Sequence, residues 1–189
     1  MSKSHIIAFF DNQDKIMGPN IPPVLLVEHV GKTQEKDCDS EKIECKFFET
    51  SDDVPDPRDL NSEFKNLMVF DDLLLEKQNK CETYYLRGRH GNIDCFYLSQ
   101  NYFKLPRQTI RENANFICLF PQDLKNISHI YNDHVSSDMS KEEFGTLCET
   151  AWEKPYGFAV IDLSSRKDGG KYRIGLDTFY IPNQNILTE

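Results

Sequence analysis

The sequence predicts an α/β protein, one sheet with flanking helices and a C-terminal hairpin. Three observations predict it. After residue 66, short apolar runs of strand length alternate with stretches of helical period. The clearest helix carries its own start and stop signals. Near the C-terminus, Asp168-Gly169-Gly170 supplies a turn between two strand-like segments.

Residues 1–42 form a poorly patterned N-terminal segment. Ile6–Phe10 is apolar, but Asp11, Asn12 and Asp14 end it early and no small-residue cleavage site follows, so it does not read as a leader. Pro19, Pro22 and Pro23 break the next stretch, and Val24–Val30 suits one strand. Residues 34–63 hold eleven Asp/Glu against four Lys/Arg and include Val54-Pro55-Asp56-Pro57, which forces extended backbone. This acidic connector has room for one strand at Ile43–Phe48.

Residues 43–182 carry the main pattern, with 183–189 as a tail. Leu67-Met68-Val69-Phe70 is a strand closed by Asp71-Asp72, and a helix follows over roughly Leu74–Leu86. Ile93–Ser99 is the next strand, ending at Gln100. Pro106 suits the first turn of a short helix through Glu112. Phe116–Phe120 is a third strand, and Pro121 opens a helix to about His134. Ser140 and Glu143 fit a capping box, and Phe144, Leu147, Cys148, Ala151 and Trp152 fall on one helical face through Glu153. Lys154-Pro155 stops that helix. Phe158–Ile161 is a strand, and Tyr172–Ile181 is its hairpin partner.

Charge and cysteine usage narrow the function. The chain has 22 basic and 31 acidic residues, a formal net charge of −9, which argues against a general polyanion-coating protein. No apolar run approaches the roughly 18 residues of a membrane span. A soluble intracellular protein without a membrane partner is expected. The six cysteines lack a C-x-x-C pair and read as reduced structural thiols. His129 and His134 are five apart, which puts them on different helical faces and argues against a metal pair.

Two groups of residues point to chemistry. Adjacent acids at the tip of a buried strand suit a division of labour, one holding Mg²⁺ through water and the other activating the attacking water. Asp71 and Asp72 stand in that position; polar residues also end apolar runs for purely structural reasons. The stretch 86–111 is basic, with Arg87, Arg89, Lys104, Arg107 and Arg111 against Asp94. A guanidinium there can neutralise a transferring phosphoryl group, or simply face solvent.

Taken together, Leu67–Asp72 (LMVFDD), Arg87–His90 (RGRH), Phe96–Asn101 (FYLSQN) and Leu105–Asn113 (LPRQTIREN) resemble, in order and spacing, the DNA-packaging ATPases of large DNA viruses and of Polinton/Maverick elements. These belong to the FtsK–HerA class of P-loop motors. The resemblance covers roughly residues 43–182 and implies a partial P-loop NTPase sheet of RecA-like type. It implies ATP and Mg²⁺ as cofactors, with Asp71 coordinating the metal and Asp72 activating water. Gln100 resembles the sensor amide, and Arg89 or Arg87 the arginine that reaches into the next protomer's nucleotide. Arg111 resembles a structural or phosphate-sensing position. A ring of the same or related subunits acting on double-stranded DNA is the implied assembly.

The sequence departs from the family in its phosphate loop. Gly31-Lys32-Thr33 resembles the end of G-x-x-x-x-G-K-[ST], yet the first glycine would fall on Leu26, whose side chain blocks the tight turn. The stretch from Thr33 to Asp71 is also too short for the elements that the family fits there. The expected state is the part of a packaging ATPase from Walker B onward, truncated and inactive alone. The alternatives are a non-catalytic subunit docking into an ATPase ring and an unrelated α/β domain. Without a phosphate-loop strand, such a sheet is expected to have an exposed edge or an uncovered face, with Val24–Val30 as a substitute strand.

Overall fold

The computed structural model describes residues 5–9, 24–30, 42–48, 50–63, 65–71, 73 and 77–183. The strands are β1 (His5–Phe9), β2 (Val24–Val30), β3 (Lys42–Phe48), β4 (Lys65–Asp71), β5 (Ile93–Ser99), β6 (Phe116–Leu119), β7 (Ala159–Asp162), β8 (Tyr172–Ile174) and β9 (Thr178–Tyr180). The helices are α1 (Asn79–Arg87), α2 (Leu124–Ile130) and α3 (Lys141–Trp152). The protein is α/β, as its alternating pattern predicts.

Among the described residues, nine strands join one sheet in the order β3-β2-β4-β5-β1-β6-β7-β8-β9. Its centre is parallel, with β4 beside β5, β5 beside β1 and β1 beside β6. Both flanks are antiparallel. Mixed sheets of this kind bury their parallel middle, so those strands read as short, nearly continuous apolar runs.

The expected gap in the sheet is absent. β1, from the poorly patterned N-terminal segment, fills the slot between β5 and β6, with Ile7 opposite both Tyr97 and Ile117. Val24–Val30 is a strand with the expected bounds, but it does not substitute there; it pairs antiparallel with β4 and β3 on the flank. The flank has a simple cause, since an antiparallel strand needs only a short return while a parallel slot needs a crossover.

Helix α1 lies against β5, and α3 against β7 and β8. Inside, Phe70 meets Tyr84 edge-on with centroids 5.6 Å apart and lies 6.2 Å from Tyr97. Tyr84 also donates its hydroxyl to the Pro55 carbonyl at 3.0 Å, tying the Pro-rich connector to α1. Phe144 is fully buried on α3, as its spacing predicts.

Several local expectations change in detail. Helix α1 begins at Asn79, later than the Leu74 expected from periodicity; residues 74–76 lie outside the described residues. Pro106–Glu112 is a series of turns followed by a single 3₁₀ turn at Arg111–Asn113, not a helix. The Pro106 carbonyl accepts from both Ile110 and Arg111, a widened turn that cannot propagate as an α-helix. Helix α2 starts at Leu124 with Asp123 as its cap, three residues after Pro121, and ends in a π turn at Tyr131–Val135.

Half of the capping box forms. Ser140 Oγ accepts from the Glu143 N–H at 3.1 Å, but the Glu143 carboxylate accepts from Tyr180 and from the Asn183 N–H instead of reaching back. A tertiary contact to β9 has taken its place. Tyr172–Ile181 is itself a hairpin, because Gly175 adopts φ +65° and folds β8 onto β9. Gly157, five residues beyond the end of α3, packs back on it where no side chain fits, since a Cβ would lie 2.0 Å from the Ala151 carbonyl oxygen.

Candidate functional site

Because β4, β5, β1 and β6 are parallel, their carboxyl ends share one edge of the sheet. The register sets Asp71 opposite Leu98 and Phe9 opposite Ser99. Gln100 follows directly. Asp71 and Gln100 therefore leave neighbouring strands side by side at the carboxyl edge, Asp71 half-buried and Gln100 exposed. Asp72 lies outside the described residues.

This edge is also where the winding reverses. The chain leaves β1 toward the β2–β3–β4 flank, whereas the connection after β5 passes beyond β1 to β6. Open sheets bind ligands in the crevice such a reversal makes. Its floor is braced from below. Asn101 donates its N–H to Ser99 Oγ at 3.2 Å, and Asn126 of α2 donates its amide to the Gln100 carbonyl at 3.4 Å. Gln78 at the start of α1 donates to the Leu73 carbonyl and accepts from the buried Tyr97 hydroxyl at 3.0 Å.

The arginines sit elsewhere. Arg87 ends α1 and is exposed, and Arg89 belongs to the 3₁₀ turn Gly88–His90 that precedes β5. They stand at the amino edge of the sheet, one strand length from Asp71, which is about 20 Å for a seven-residue strand such as β5. Arg87 and His90 border a cleft of about 550 Å³ with Pro57, Arg58 and Leu60. Arg58 is held there by Asp56, Nε to Oδ1 at 2.8 Å, and its hydrogen bonds keep the Asp56 carboxyl well below the usual range.

Gly31-Lys32-Thr33 lies outside the described residues. It follows β2, which ends at the amino edge with Val30 opposite Lys42, while Leu26 pairs in mid-strand with Met68 and Lys46. The residue that breaks the loop motif is thus a sheet residue.

Arg111 anchors a cluster that the sequence does not announce. Its guanidinium is buried, lies 4.9 Å over the Tyr102 ring and donates to Asp133 Oδ2 at 2.7 Å. The Tyr102 hydroxyl is 2.8 Å from the same oxygen and 2.7 Å from His134 Nε2. Since a tyrosine has one proton and the carboxylate can only accept, Tyr102 donates to Asp133 and His134 Nε2–H donates to Tyr102. Burial holds the His134 pKa down at about 4 and pushes Tyr102 up. The π turn makes this possible by bringing the consecutive side chains of Asp133 and His134 onto one hydroxyl, which a regular helix would splay apart.

The same cluster continues across the chain. Lys171 donates to Asp138 at 2.5 Å and to the His134 carbonyl at 3.0 Å, and the Tyr172 hydroxyl donates to Asp138 at 2.7 Å. A cleft of about 520 Å³ opens here at the amino edge of β6, bordered by Arg107, Arg111, Glu112, His134 and Lys171. The only sequence hint was Arg111; its partners are scattered over seventy residues of unrelated elements, and no spacing links them.

Cys81, Cys95, Cys118 and Cys148 are free thiols, and burial pushes Cys118 up to about 11 and Cys148 to about 12. His129 stacks on Phe103 with centroids 4.5 Å apart, away from His134. Among the described residues, no helix is long and apolar enough to cross a membrane, and no group of three acidic, histidine or cysteine side chains is placed to hold a metal.

No family model matches the chain, and no curated protein is similar to it at a significant level. Among solved structures, the chain is similar to the genome packaging NTPase B204 of Sulfolobus turreted icosahedral virus 2, solved in complex with AMP. The likeness covers 52% of this chain and 48% of that one, at 14% identity and a TM-score of 0.38. The chain therefore spans about half the length of the protein it matches. A TM-score of that size leaves the functional reading to rest on motifs and strand order.

Proposed function

We propose that this chain is a packaging-class subunit of P-loop type that does not hydrolyse nucleotide by itself and works within a ring of related ATPase subunits on double-stranded DNA. Residues 43–182 would carry the packaging-ATPase-like unit, supported centrally by β1, with 183–189 as a tail. The observation that carries this reading is the division of charged residues between the two edges. Asp71 and Gln100 stand together at the carboxyl edge, in the order the family motifs require. Arg87 and Arg89 stand at the opposite edge, out of reach of their own crevice. That separation suits arginines acting on a neighbouring protomer's phosphates.

The residues fit only part of a nucleotide site. Asp71 suits a hydrated Mg²⁺, Asp72 a role in activating water, and Gln100 an amide that senses phosphate. When bound, Mg²⁺ would neutralise phosphate charge at that edge. The cradle is the missing part. The chain leaving β1 begins Phe10-Asp11-Asn12-Gln13-Asp14-Lys15, with no glycine to let backbone N–H groups wrap a phosphate. No hydrolytic step follows from these residues.

The test is a mixing experiment. Alone with ATP and Mg²⁺, the purified chain should show no turnover. Added to an intact homologous ring, it should change the hydrolysis rate, and Arg87→Ala with Arg89→Ala should abolish that change. Unchanged rates would remove the arginine role. Turnover by the chain alone, lost in Asp71→Asn, would replace this reading with that of a self-sufficient ATPase.

A further inference from the structure

The packaging reading makes no use of the cleft at the amino edge of β6. We propose that this cleft binds a phosphate group, at a site separate from the crevice at the carboxyl edge and independent of the packaging reading. Three cationic side chains border it: Arg107, Arg111 and Lys171. The carboxylates beside these cations are largely committed. Asp133 Oδ2 takes both Arg111 and Tyr102, and Asp138 takes Lys171 and Tyr172.

Donor capacity is left over. Lys171 spends two of its three protons on Asp138 and the His134 carbonyl. Arg111 Nε–H has no acceptor although the side chain is only 9% exposed. Thr109 Oγ1, on the same turn, is likewise buried without a partner, and these are the two such atoms among the described residues. Buried polar atoms are nearly always satisfied; of these two residues Arg111 borders the cleft, its Nε enclosed behind the cleft wall, so Lys171 and Arg107 are the donors that a ligand there meets first. At the mouth, Arg107 pairs with Glu112 at 3.3 Å, and both are exposed. An exposed pair is weakly held, so an incoming oxyanion can displace Glu112 from it.

A ligand that complements surplus N–H donors must be rich in acceptors and negatively charged. Phosphate presents oxygens in several directions at once, matching three separate cations better than a flat carboxylate does. The cleft of about 520 Å³ is larger than a bare phosphate and leaves room for its substituent. The same phosphate chemistry reaches the cleft from a free phosphate ester or from a nucleic-acid backbone.

Calorimetric titration of the full chain at low ionic strength tests this, with pyrophosphate as the free probe and a short DNA duplex as the phosphodiester. At least one probe should bind. Arg107→Glu should weaken that binding roughly tenfold or more, equivalent to about 1.4 kcal/mol, with the melting temperature unchanged because Arg107 is exposed. Glu112→Gln should tighten binding by freeing Arg107, an effect that a purely structural role would not produce. Pyrophosphate binding that responds to both variants identifies a free phosphate ligand, and a response of the duplex alone identifies a backbone phosphate. Binding of neither probe, or affinities indifferent to both variants, overturns the proposal.

Discussion

The two edges of the parallel strands use charge differently. At the amino edge, buried Tyr102, Arg111 and Tyr172 and half-buried His134, Asp138 and Lys171 join Asp133 in a continuous network across four segments of chain. At the carboxyl edge, Asp71 is half-buried, Gln100 is exposed, and the described bonds mostly brace the backbone beneath them. The network ties four segments of chain together, while Gln100 at the other edge is exposed and Asp71 half-buried. Stability should therefore respond strongly to one edge and weakly to the other.

The largest expected effect is on pH dependence. The unfolded His134 titrates near 6.5 and the folded one at about 4, because burial disfavours the imidazolium. Between those values the unfolded chain binds the extra proton, so stability should fall on acidification from pH 6.5 to 4, by roughly 3 kcal/mol from this residue. Urea unfolding across that range measures it, and His134→Gln should flatten the slope. An unchanged slope would break the comparison at its strongest point.

Next comes Asp133→Asn, which leaves the buried Arg111 guanidinium without a counter-charge. It should cost about 2–3 kcal/mol in denaturant titrations. A double-mutant cycle with Tyr102→Phe should show coupling, since both bonds end on Oδ2. At the carboxyl edge, Trp152→Phe removes the indole N–H bond to the Leu119 carbonyl, 2.9 Å long. The loss should be about 1 kcal/mol. Smallest of all, Gln100→Ala should change stability by less than about 0.5 kcal/mol, as exposed positions do. If Gln100→Ala rivals Asp133→Asn, the two edges are not distinct.

The parts of the fold legible in the sequence were those with a local cause. Ile93–Ser99 and Val24–Val30 read as strands from β-branched and aromatic runs with polar ends, and Ser140 marked the start of α3. β1 was not legible. It is five residues long, lies in the middle of a parallel sheet and so lacks alternation, and its polar flanks made it look like an incomplete leader. The turns at 106–113 were misread because Pro106 is compatible with a helix start, whereas the outcome is set by the tertiary anchor between Arg111 and Asp133.

For the candidate site, motif order located Asp71 and Gln100, and the strand pairing brings them together. It could not locate the network around Arg111. Tyr102, Asp133, His134 and Lys171 acquire meaning only through contacts between distant segments, and a π turn has no clear sequence signature.

The position of β1 carries a consequence for synthesis of the chain. It precedes both of its neighbours by many residues: β5 begins at Ile93 and β6 at Phe116. Until those segments leave the ribosome, His5–Phe9 has neither edge paired, and the sheet cannot close around its own centre. Long-range pairing of this kind slows folding and prolongs the exposure of sticky intermediates. The central slot of the sheet is therefore filled by a pairing that spans about a hundred residues, and β1 can be locked in only after both later strands are in place.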